Sequence, residues 1–275
     1  AREGSPAARA GLRPGDYVRS IDGQSTRDTS VFEGMHLLRG KPGTKVTLAA
    51  PPGNAAEPHA VGLTRETPQS LNLKGRTLAP GTGYVRVPEF TKATAGQLRS
   101  EIAALTRGGA QRVVIDVRGT TAGDLDLGYE GARLFVASGT LGYSQARGKD
   151  KVPVSAATGD GAIAVPLAIL TDNGTAGAAE VFAAAVGGNK RATLVGERTI
   201  GRAGRQKVVA LPDGAGLLLT NVLYLGPGGA SLNERGVVPD VAVDVPSVDF
   251  GIEPTPGDPV LDKAVETLTA AKKAA

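Results

Sequence analysis

The spacing of apolar residues in the first part of the chain predicts short helices and strands in alternation. Residues 4–12 indicate a short helix that ends at a Pro-Gly turn. Apolar residues then recur at the helical period from 31 to 38, where Asp28 or Thr29 can cap the helix. Residues 44–49 alternate between polar and apolar, which is typical of a half-buried strand.

The pattern changes after a stretch rich in Pro and Gly. Residues 84–87 predict a strand, 94–107 a helix with one apolar face, and 113–117 a continuous apolar strand. A second strand and helix follow at 167–170 and 178–186. Such βαβ units form parallel sheets, so the sequence indicates the α/β class.

Three further elements complete the predicted order. Residues 193–195 indicate another strand. A hairpin joins 207–211 to 217–224 through the turn Pro212-Asp213-Gly214. Near the end of the sequence, Asp258 can cap a helix whose apolar residues recur at helical spacing.

Composition excludes several classes of protein. The 275 residues are 41% hydrophobic, which suits two modest globular domains, and the net charge of +4 is spread along the chain. We therefore expect no binding to nucleic acid or to an anionic membrane. Without cysteine there is no disulfide, thiolate metal site or cysteine nucleophile. No run of eighteen apolar residues predicts a membrane span, and the first residues lack the order of a secretion signal.

No metal or cofactor is expected. Asp124, Asp126 and Glu130 lack the spacing of an EF-hand and are interpreted as the solvated face of a helix. Asp116 and Arg118 end a buried strand, where sites collect in α/β folds, and form either a site or a structural ion pair.

The first fifty residues resemble a bacterial PDZ domain. The resemblance rests on Gly-Ser-Pro-Ala from residue 4, Gly-Leu-Arg-Pro-Gly-Asp from 11, Ile-Asp-Gly from 21 and Leu-Arg-Gly-Lys-Pro-Gly-Thr-Lys-Val from 38. PDZ domains bind a peptide as an added strand and hold its carboxylate in backbone amides. Val31, Met35 and Leu38 are the expected groove residues. In this family the carboxylate-binding loop precedes Gly-Ser-Pro-Ala, so carboxylate capture requires residues outside this sequence.

The rest of the chain resembles the C-terminal processing (tail-specific) serine peptidases of the S41 type. The resemblance rests on an ordered series of segments: Gly83-Tyr84-Val85-Arg86-Val87, Val114-Ile115-Asp116-Val117-Arg118, Asn173-Gly174-Thr175-Ala176-Gly177-Ala178-Ala179-Glu180, Val195-Gly196-Glu197-Arg198-Thr199-Ile200-Gly201, Leu211-Pro212-Asp213-Gly214 and Gly236-Val237-Val238-Pro239-Asp240. It implies a partial PDZ domain (1–50), a linker with connecting strands (51–82), a ClpP/crotonase-like α/β peptidase core (83–250) and a C-terminal tail and helix (251–275).

The same resemblance implies where catalytic groups belong. Aligning the family's Ser-Ala-Ser-Ala-Ser-Glu run on Glu180 places the nucleophile at Gly177, and the lysine base falls at Arg202 without a gap. The helper glutamine is present as Gln206, and the oxyanion segment covers Ala122 and Gly123. Glycine has no nucleophile, and arginine stays protonated and cannot act as a general base.

The resulting hypothesis is an S41 homologue that is catalytically inactive and binds polypeptide segments or protein C-termini as a scaffold or adaptor. One alternative is an active serine-type endopeptidase with a non-standard nucleophile, for which Thr175 is the candidate, although a threonine at this turn is more readily a helix cap. Another is a structural protein whose pocket Arg202 closes. The resemblance implies a periplasmic or cell-envelope location and is compatible with an oligomer or larger assembly.

Overall fold

The structure is a computed structural model that describes residues 4–12, 16–50, 59–67, 71–212, 216–244 and 257–273, without the side chains of Val31, Phe32 and 271–273. The chain divides into two compact units, one within Ala1–Ser70 and one within Leu71–Val245 and Gly257–Ala275.

The first unit is a small antiparallel sheet with two short helices. Its elements are α1 (Pro6–Arg9), β1 (Ser20–Ile21), β2 (Gln24–Ser25), α2 (Val31–Leu38), β3 (Lys45–Ala50) and β4 (His59–Thr64). The sheet order is β2-β1-β3-β4, and every pair is antiparallel. Its core is small, with Ile21, Val46 and Leu48 buried together.

Helix α2 is capped one residue after Thr29 and two after Asp28, the two predicted caps. Ser30 is its N-cap, and the Ser30 hydroxyl accepts the Glu33 N–H at 3.1 Å. The prediction of Asp28 or Thr29 as the cap was therefore wrong. The Thr29 hydroxyl instead donates to the Ser25 carbonyl at 2.9 Å, so it stabilises the preceding turn.

The second unit is a larger α/β assembly. Its elements are β5 (Lys74–Ala79), β6 (Thr82–Arg86), α3 (Thr94–Arg107), β7 (Arg112–Asp116), α4 (Asp126–Ala132), β8 (Thr140–Ala146), β9 (Val152–Ser155), β10 (Leu167–Thr171), α5 (Ala178–Gly188), β11 (Thr193–Gly196), β12 (Gly204–Ala210), β13 (Gly216–Leu225), β14 (Val241–Ala242) and α6 (Pro259–Lys273).

The central sheet has the order β14-β11-β10-β7-β6-β5, and all its pairs are parallel except β5 with β6. Both faces are covered, which explains the continuous apolar runs in β7 and β10. Val113 and Ile115 of β7 face the main core, whereas Val114 lies in a second cluster with Val260 and Leu268 of α6. Alternate residues of one strand thus serve two layers.

Helix α5 crosses the main core, and every residue from Ala178 to Gly187 is buried. Small alanines let it pack closely against α4, β8 and β11. A second sheet, β12-β13-β8-β9, is antiparallel and lies next to α5 through β8. Glu180 is the one charged residue of this buried helix.

The α/β fold predicted from the sequence is confirmed, including the helix at 94–107 and the predicted strand positions in β7 and β10. The region proposed as a connection, 51–82, contains β4 of the first unit and β5 of the second. Within the described ranges, no helix is both long and apolar enough to cross a bilayer.

Candidate functional site

Three loops meet at the carboxyl ends of the parallel strands. They follow β7 (117–123), β10 (172–177) and β11 (197–202). Backbone hydrogen bonds join them, because the Ala176 N–H donates to the Thr120 carbonyl at 2.9 Å and the Ile200 N–H to the Thr175 carbonyl at 3.2 Å. Ligands of open α/β sheets bind at this edge. We take this three-loop cleft as the candidate site.

Gly177 is the N-cap of α5, between strand β10 and the helix. Its φ of 63° and ψ of −120° form a backbone conformation that residues with a side chain rarely adopt. Strained turns of this strand-to-helix kind carry the nucleophile in α/β-hydrolases. A Cβ at Gly177 would meet only the Thr121 carbonyl oxygen, at 3.8 Å. The position therefore has room for a side chain, although this chain has none there.

The carboxylate of Glu180 joins the two sides of the cleft. It is fully buried in the first turn of α5. Its Oε2 accepts the backbone N–H groups of Gly177 at 3.0 Å and Arg202 at 2.7 Å. Its Oε1 accepts the Gly201 N–H at 2.7 Å and the Thr199 hydroxyl. The two positions that the resemblance singled out, 177 and 202, are therefore fixed by one carboxylate.

The side chain of Arg202 is not used in this network. The residue is exposed, and among the described residues its guanidinium forms no hydrogen bond or ion pair. Gln206, the predicted helper, is also exposed and lies on β12 opposite Thr220. The structure thus brings the Arg202 backbone to the cleft but leaves both polar side chains in solvent.

The predicted oxyanion segment lies beside Gly177. Ala122 is half-buried, and its carbonyl accepts the Phe90 N–H at 3.0 Å. Gly123 has a φ of 132°, and a Cβ there would lie 2.4 Å from the Phe90 carbonyl oxygen. Directly after Gly177, the buried Ala178 and Ala179 open helix α5, where N–H groups have no intrahelical partner. The first turn of α5 therefore places backbone donors next to Gly177.

Thr175 does not cap α5, so its interpretation as the helix cap was wrong: the cap position is Gly177. The Thr175 hydroxyl is buried and lies 2.8 Å from Asp172 Oδ1 and 3.1 Å from the Val117 carbonyl oxygen. It also accepts the Asp172 N–H at 3.1 Å. This hydroxyl therefore joins the loop after β10 to the loop after β7.

Asp116 and Arg118 form an ion pair that ties the sheet to α6. Arg118 Nη2 lies 2.7 Å from Asp116 Oδ2 and 2.7 Å from Asp258 Oδ2. Asp258 also accepts the Leu261 N–H at 3.0 Å, which confirms it as the predicted cap. Burial, and then the Asp116 carboxylate, raise the pKa of Tyr84 to about 12, since its hydroxyl donates to Asp116. Of the two open interpretations, the geometry matches the structural ion pair.

A second polar cluster joins α4 to the antiparallel sheet. The buried Tyr224 hydroxyl donates to Asp126 Oδ1 at 2.7 Å, and Arg205 Nη2 donates to Asp126 Oδ2 at 2.6 Å. Burial, followed by the bond to Asp126, raises the pKa of Tyr224 above its ordinary value. Glu130 pairs instead with Arg133 at 3.3 Å. In the part of the chain that is described, no acidic or histidine cluster is placed to hold a metal ion.

The groove residues expected in the first unit are only partly described. A pocket of about 470 Å³ is lined by Leu38 together with Val46 and Leu63. Met35 is 46% exposed and does not belong to the described lining. The side chain of Val31 lies outside the described residues. Arg65 closes the end of α2, where it donates to the Leu37 and Leu38 carbonyls at 3.0 and 2.9 Å.

Sequence reasoning used Glu180 to set the alignment but missed its role as the acceptor at the centre of the cleft. A signal was present, since a glutamate at the third helical position forms half of a capping box. The donors on the other side, Thr199 and Gly201, carried no such signal. They follow β11 in the chain and meet Glu180 through the sheet topology.

The fold is that of an α/β protein with a PDZ-matching first segment and a peptidase-like second unit. Residues 1–50 match the family described as PDZ domain, and residues 81–243 match peptidase family S41. The chain therefore belongs to peptidase family S41.

Two of the curated proteins to which the chain is similar are named as carboxyl-terminal-processing peptidases. The chain is 33% identical to the carboxyl-terminal-processing protease of Synechocystis sp. over 97% of its own length and 63% of that protein. It is 32% identical to the chloroplastic carboxyl-terminal-processing peptidase 2 of Arabidopsis thaliana, over 87% of this chain and 48% of that protein. The chain thus spans about half to two thirds of these relatives.

A solved structure shows the same fold. The photosystem II D1 C-terminal processing protease superposes with a TM-score of 0.74 at 31% sequence identity, covering 88% of this chain and 66% of that one.

Proposed function

We propose that this S41 family member binds polypeptide segments in the three-loop cleft without cleaving them, as a scaffold or adaptor. One observation carries the proposal: Glu180 holds the backbones of Gly177 and Arg202, the two positions where the family motif places its nucleophile and base. A cleft with backbone donors but without a hydroxyl at position 177 and a neutral amine at position 202 can bind a carbonyl group but lacks the family's means of attacking it.

The conformation of Gly177 supports this proposal. Gly177 has a φ of 63°, the conformation of a strained strand-to-helix turn, although it has no side chain to orient. Glycine adopts such a φ without the strain of about 1–3 kcal/mol that another residue incurs. The cleft backbone is thus compatible with both a binding site and a former catalytic site.

The competing hypothesis is an active endopeptidase that uses Thr175. Its hydroxyl is buried and surrounded by the Asp172 carboxylate, the Asp172 N–H and the Val117 carbonyl. Attack would require this hydroxyl to leave three contacts and turn toward solvent. That geometry favours the binding hypothesis over the enzymatic one. Arg202 is exposed, which argues against the other alternative, a structural protein whose pocket this residue closes.

As partners we propose polypeptides or protein C-termini, in keeping with the PDZ-matching segment and the S41 family. By family resemblance we also propose a periplasmic or cell-envelope location.

The test compares the chain with its Gly177→Ser/Arg202→Lys double variant. We expect the chain to bind an unstructured reporter polypeptide with an apolar C-terminus, measured by fluorescence anisotropy, and to leave it intact. The double variant regains a hydroxyl and an amine at positions linked by Glu180, and we expect it to cleave the reporter.

The control is Gly119→Ser/Arg198→Lys. Gly119 has a φ of 62° with open space around its Cβ position, and Arg198 is exposed, so this variant adds the same groups outside the dyad positions. It should not cleave. Cleavage by the unmodified chain above a no-protein control, abolished by Thr175→Val, would establish the enzymatic alternative instead.

A further inference from the structure

Basic residues gather on one side of the central sheet, at its β5–β6 end. Gly75 of β5 faces α3, because a Cβ there would lie 3.1 Å from the Leu105 side chain. Side chains alternate along a strand, so Lys74 and Arg76 point to the opposite side. The antiparallel register places Lys74 directly opposite Arg86 of β6. These three cations therefore share the side of the sheet that faces away from α3.

Contacts between β5, β6 and β7 confirm this side and add a fourth cation. The guanidinium carbon of Arg76 lies 4.7 Å from the centre of the Tyr84 ring. Two residues before Tyr84, the Thr82 hydroxyl accepts Nε of Arg112, on β7, at 2.8 Å. We name Lys74, Arg76, Arg86 and Arg112 the basic sheet face.

The two helices that pack on the sheet leave this face accessible. Helix α3 packs on β5 and β6 from the other side, and α6 packs on β7, β10 and β11. Lys74 and Arg76 are exposed, whereas Arg86 and Arg112 are half-buried. The cations thus lie beside the part of the sheet that α6 covers.

The charge of this face is not balanced by the carboxylates beside it. Asp116, the acidic residue of β7 on this side, is bound by Arg118, which also binds Asp258. Within the described ranges, no member of the basic sheet face forms an ion pair. Like charges directly opposite each other on a sheet are destabilising, as Lys74 and Arg86 are. An anionic ligand would relieve this repulsion.

Arg86 connects the basic sheet face to the three-loop cleft. Its Nη1 donates to the Thr120 hydroxyl at 2.9 Å and to the Asp116 carbonyl at 3.0 Å. Thr120 belongs to the first loop of the cleft, and its carbonyl accepts the Ala176 N–H of the second. A polypeptide that leaves the cleft on this side therefore meets the cations at once.

We propose that the basic sheet face binds an acidic, extended segment of the polypeptide that the cleft holds. Alternate side chains of an extended segment are about 7 Å apart, which is also the repeat of Lys74 and Arg76 along β5. Acidic residues at alternate positions can therefore meet both cations. This proposal rests on the proposed function and adds the chemistry of the ligand, which is acidic next to the part that the cleft binds.

The segment is recognised by side chains and not by addition of a strand to the sheet. The Gly75 N–H of β5 donates to the Glu101 carboxylate at 2.8 Å, so this edge group already has an acceptor. The β5–β6 register is also interrupted between Thr77 and Ala79. Affinity for the acidic segment should therefore depend on charge, and salt should weaken it.

The test uses two versions of the unstructured reporter with an apolar C-terminus. One carries glutamates at alternate positions before that C-terminus, and the other carries glutamines at the same positions. Fluorescence anisotropy should show that the chain binds the glutamate reporter roughly three- to tenfold more tightly at low ionic strength. The preference should disappear near 1 M salt, where charges are screened beyond about 3 Å.

Lys74→Gln/Arg76→Gln should remove most of this preference. Its binding of the glutamine reporter should equal that of the parent chain, which also shows that the variant is folded. The matched control is Lys92→Gln/Arg99→Gln, which removes the same charge from exposed positions just before and within α3. The control should keep the preference.

Three results would overturn the proposal. The first is equal binding of the two reporters by the parent chain. The second is an equal loss of preference in both variants, since net charge alone would then explain it. The third is tighter binding of phosphatidylserine vesicles or of a thymidine oligonucleotide than of the glutamate reporter, again lost in Lys74→Gln/Arg76→Gln. The face would then belong to a membrane or to nucleic acid.

Failure of the proposed function gives a different result. If neither reporter binds the parent chain, the cleft does not hold this polypeptide. The glutamate segment without its apolar C-terminus then tests the face alone. Binding that Lys74→Gln/Arg76→Gln weakens and Lys92→Gln/Arg99→Gln retains would support the basic sheet face. Absence of binding would overturn it.

Discussion

Two buried carboxylates organise the second unit, and they do so with different partners. Asp116, at the end of β7, is neutralised by the Arg118 guanidinium and bound by the Tyr84 hydroxyl. Glu180, at the start of α5, has no cationic partner among the described residues. Three backbone N–H groups and one hydroxyl satisfy it instead.

These different partners explain how the loops of the cleft are held in place while the Arg202 side chain stays exposed. The Arg118 guanidinium donates to both Asp116 and Asp258, so it is not available to a ligand. Glu180 fixes the loops through their backbones, and the Arg202 side chain remains exposed. The Asp116 carboxylate stabilises a structural ion pair. The Glu180 carboxylate instead positions the loops of the candidate site.

The largest expected effect comes from deleting the Glu180 carboxylate. In Glu180→Ala the buried Thr199 hydroxyl and three N–H groups lose their acceptor, so we expect the free energy of unfolding to fall by roughly 3–5 kcal/mol. Urea unfolding measures this. Glu130→Ala removes a carboxylate whose side chain is 58% exposed and should change the free energy by less than about 0.5 kcal/mol. Similar losses in both variants would contradict the assigned role of Glu180.

An intermediate effect, with a defined pH dependence, is expected at the ion pair. Burial alone would raise the pKa of Asp258, but its hydrogen bonds with Arg118 and the Leu261 N–H outweigh this and hold the pKa below its usual range. Because the folded-state pKa is lowered, the stabilisation is complete above the unfolded value of about 3.9 and is lost as the pH falls through the folded value.

Asp258→Asn should therefore lower the free energy of unfolding at neutral pH by about 1 kcal/mol, after discounting for its partial exposure. The variant and the parent chain should converge as the pH falls below about 4. Urea unfolding across this pH range measures the difference. If the difference in free energy of unfolding between the variant and the parent chain stays constant down to the lowest pH, the Asp258 charge does not contribute to stability.

The smallest expected effect is at Arg202. Its guanidinium has no partner among the described residues, so Arg202→Ala should change the free energy of unfolding by less than about 0.5 kcal/mol. Arg118→Ala is the matched comparison and should cost several times more, because it leaves the buried Asp116 unpaired. Thermal unfolding of the two variants side by side tests this. Equal losses of stability would contradict a structural role for the Arg118 side chain that Arg202 lacks.

Patterns confined to one element were predictable. The helix at 94–107 and the strands within β7 and β10 follow from apolar periodicity, and Asp258 was identified as a cap from local capping preferences. The cap of α2 was misplaced because Asp28, Thr29 and Ser30 all favour that role and the choice depends on where the chain turns. The hairpin of β12 and β13 was predicted, but the exposure of its apolar residues was not, because apolar runs ordinarily indicate burial.

The α/β class and the PDZ-like first unit were predictable from the sequence alone, as was the prediction that Gly177 and Arg202 occupy the nucleophile and base positions of the family motif. These follow from periodicity and from motifs that are local in the chain. Only the folded structure shows that Glu180 holds both positions, that Thr175 is buried, and that the outer part of the β12–β13 hairpin pairs with no third strand among the described residues. Each of these depends on which loops the parallel sheet brings to one edge, and on which surfaces its layers leave uncovered.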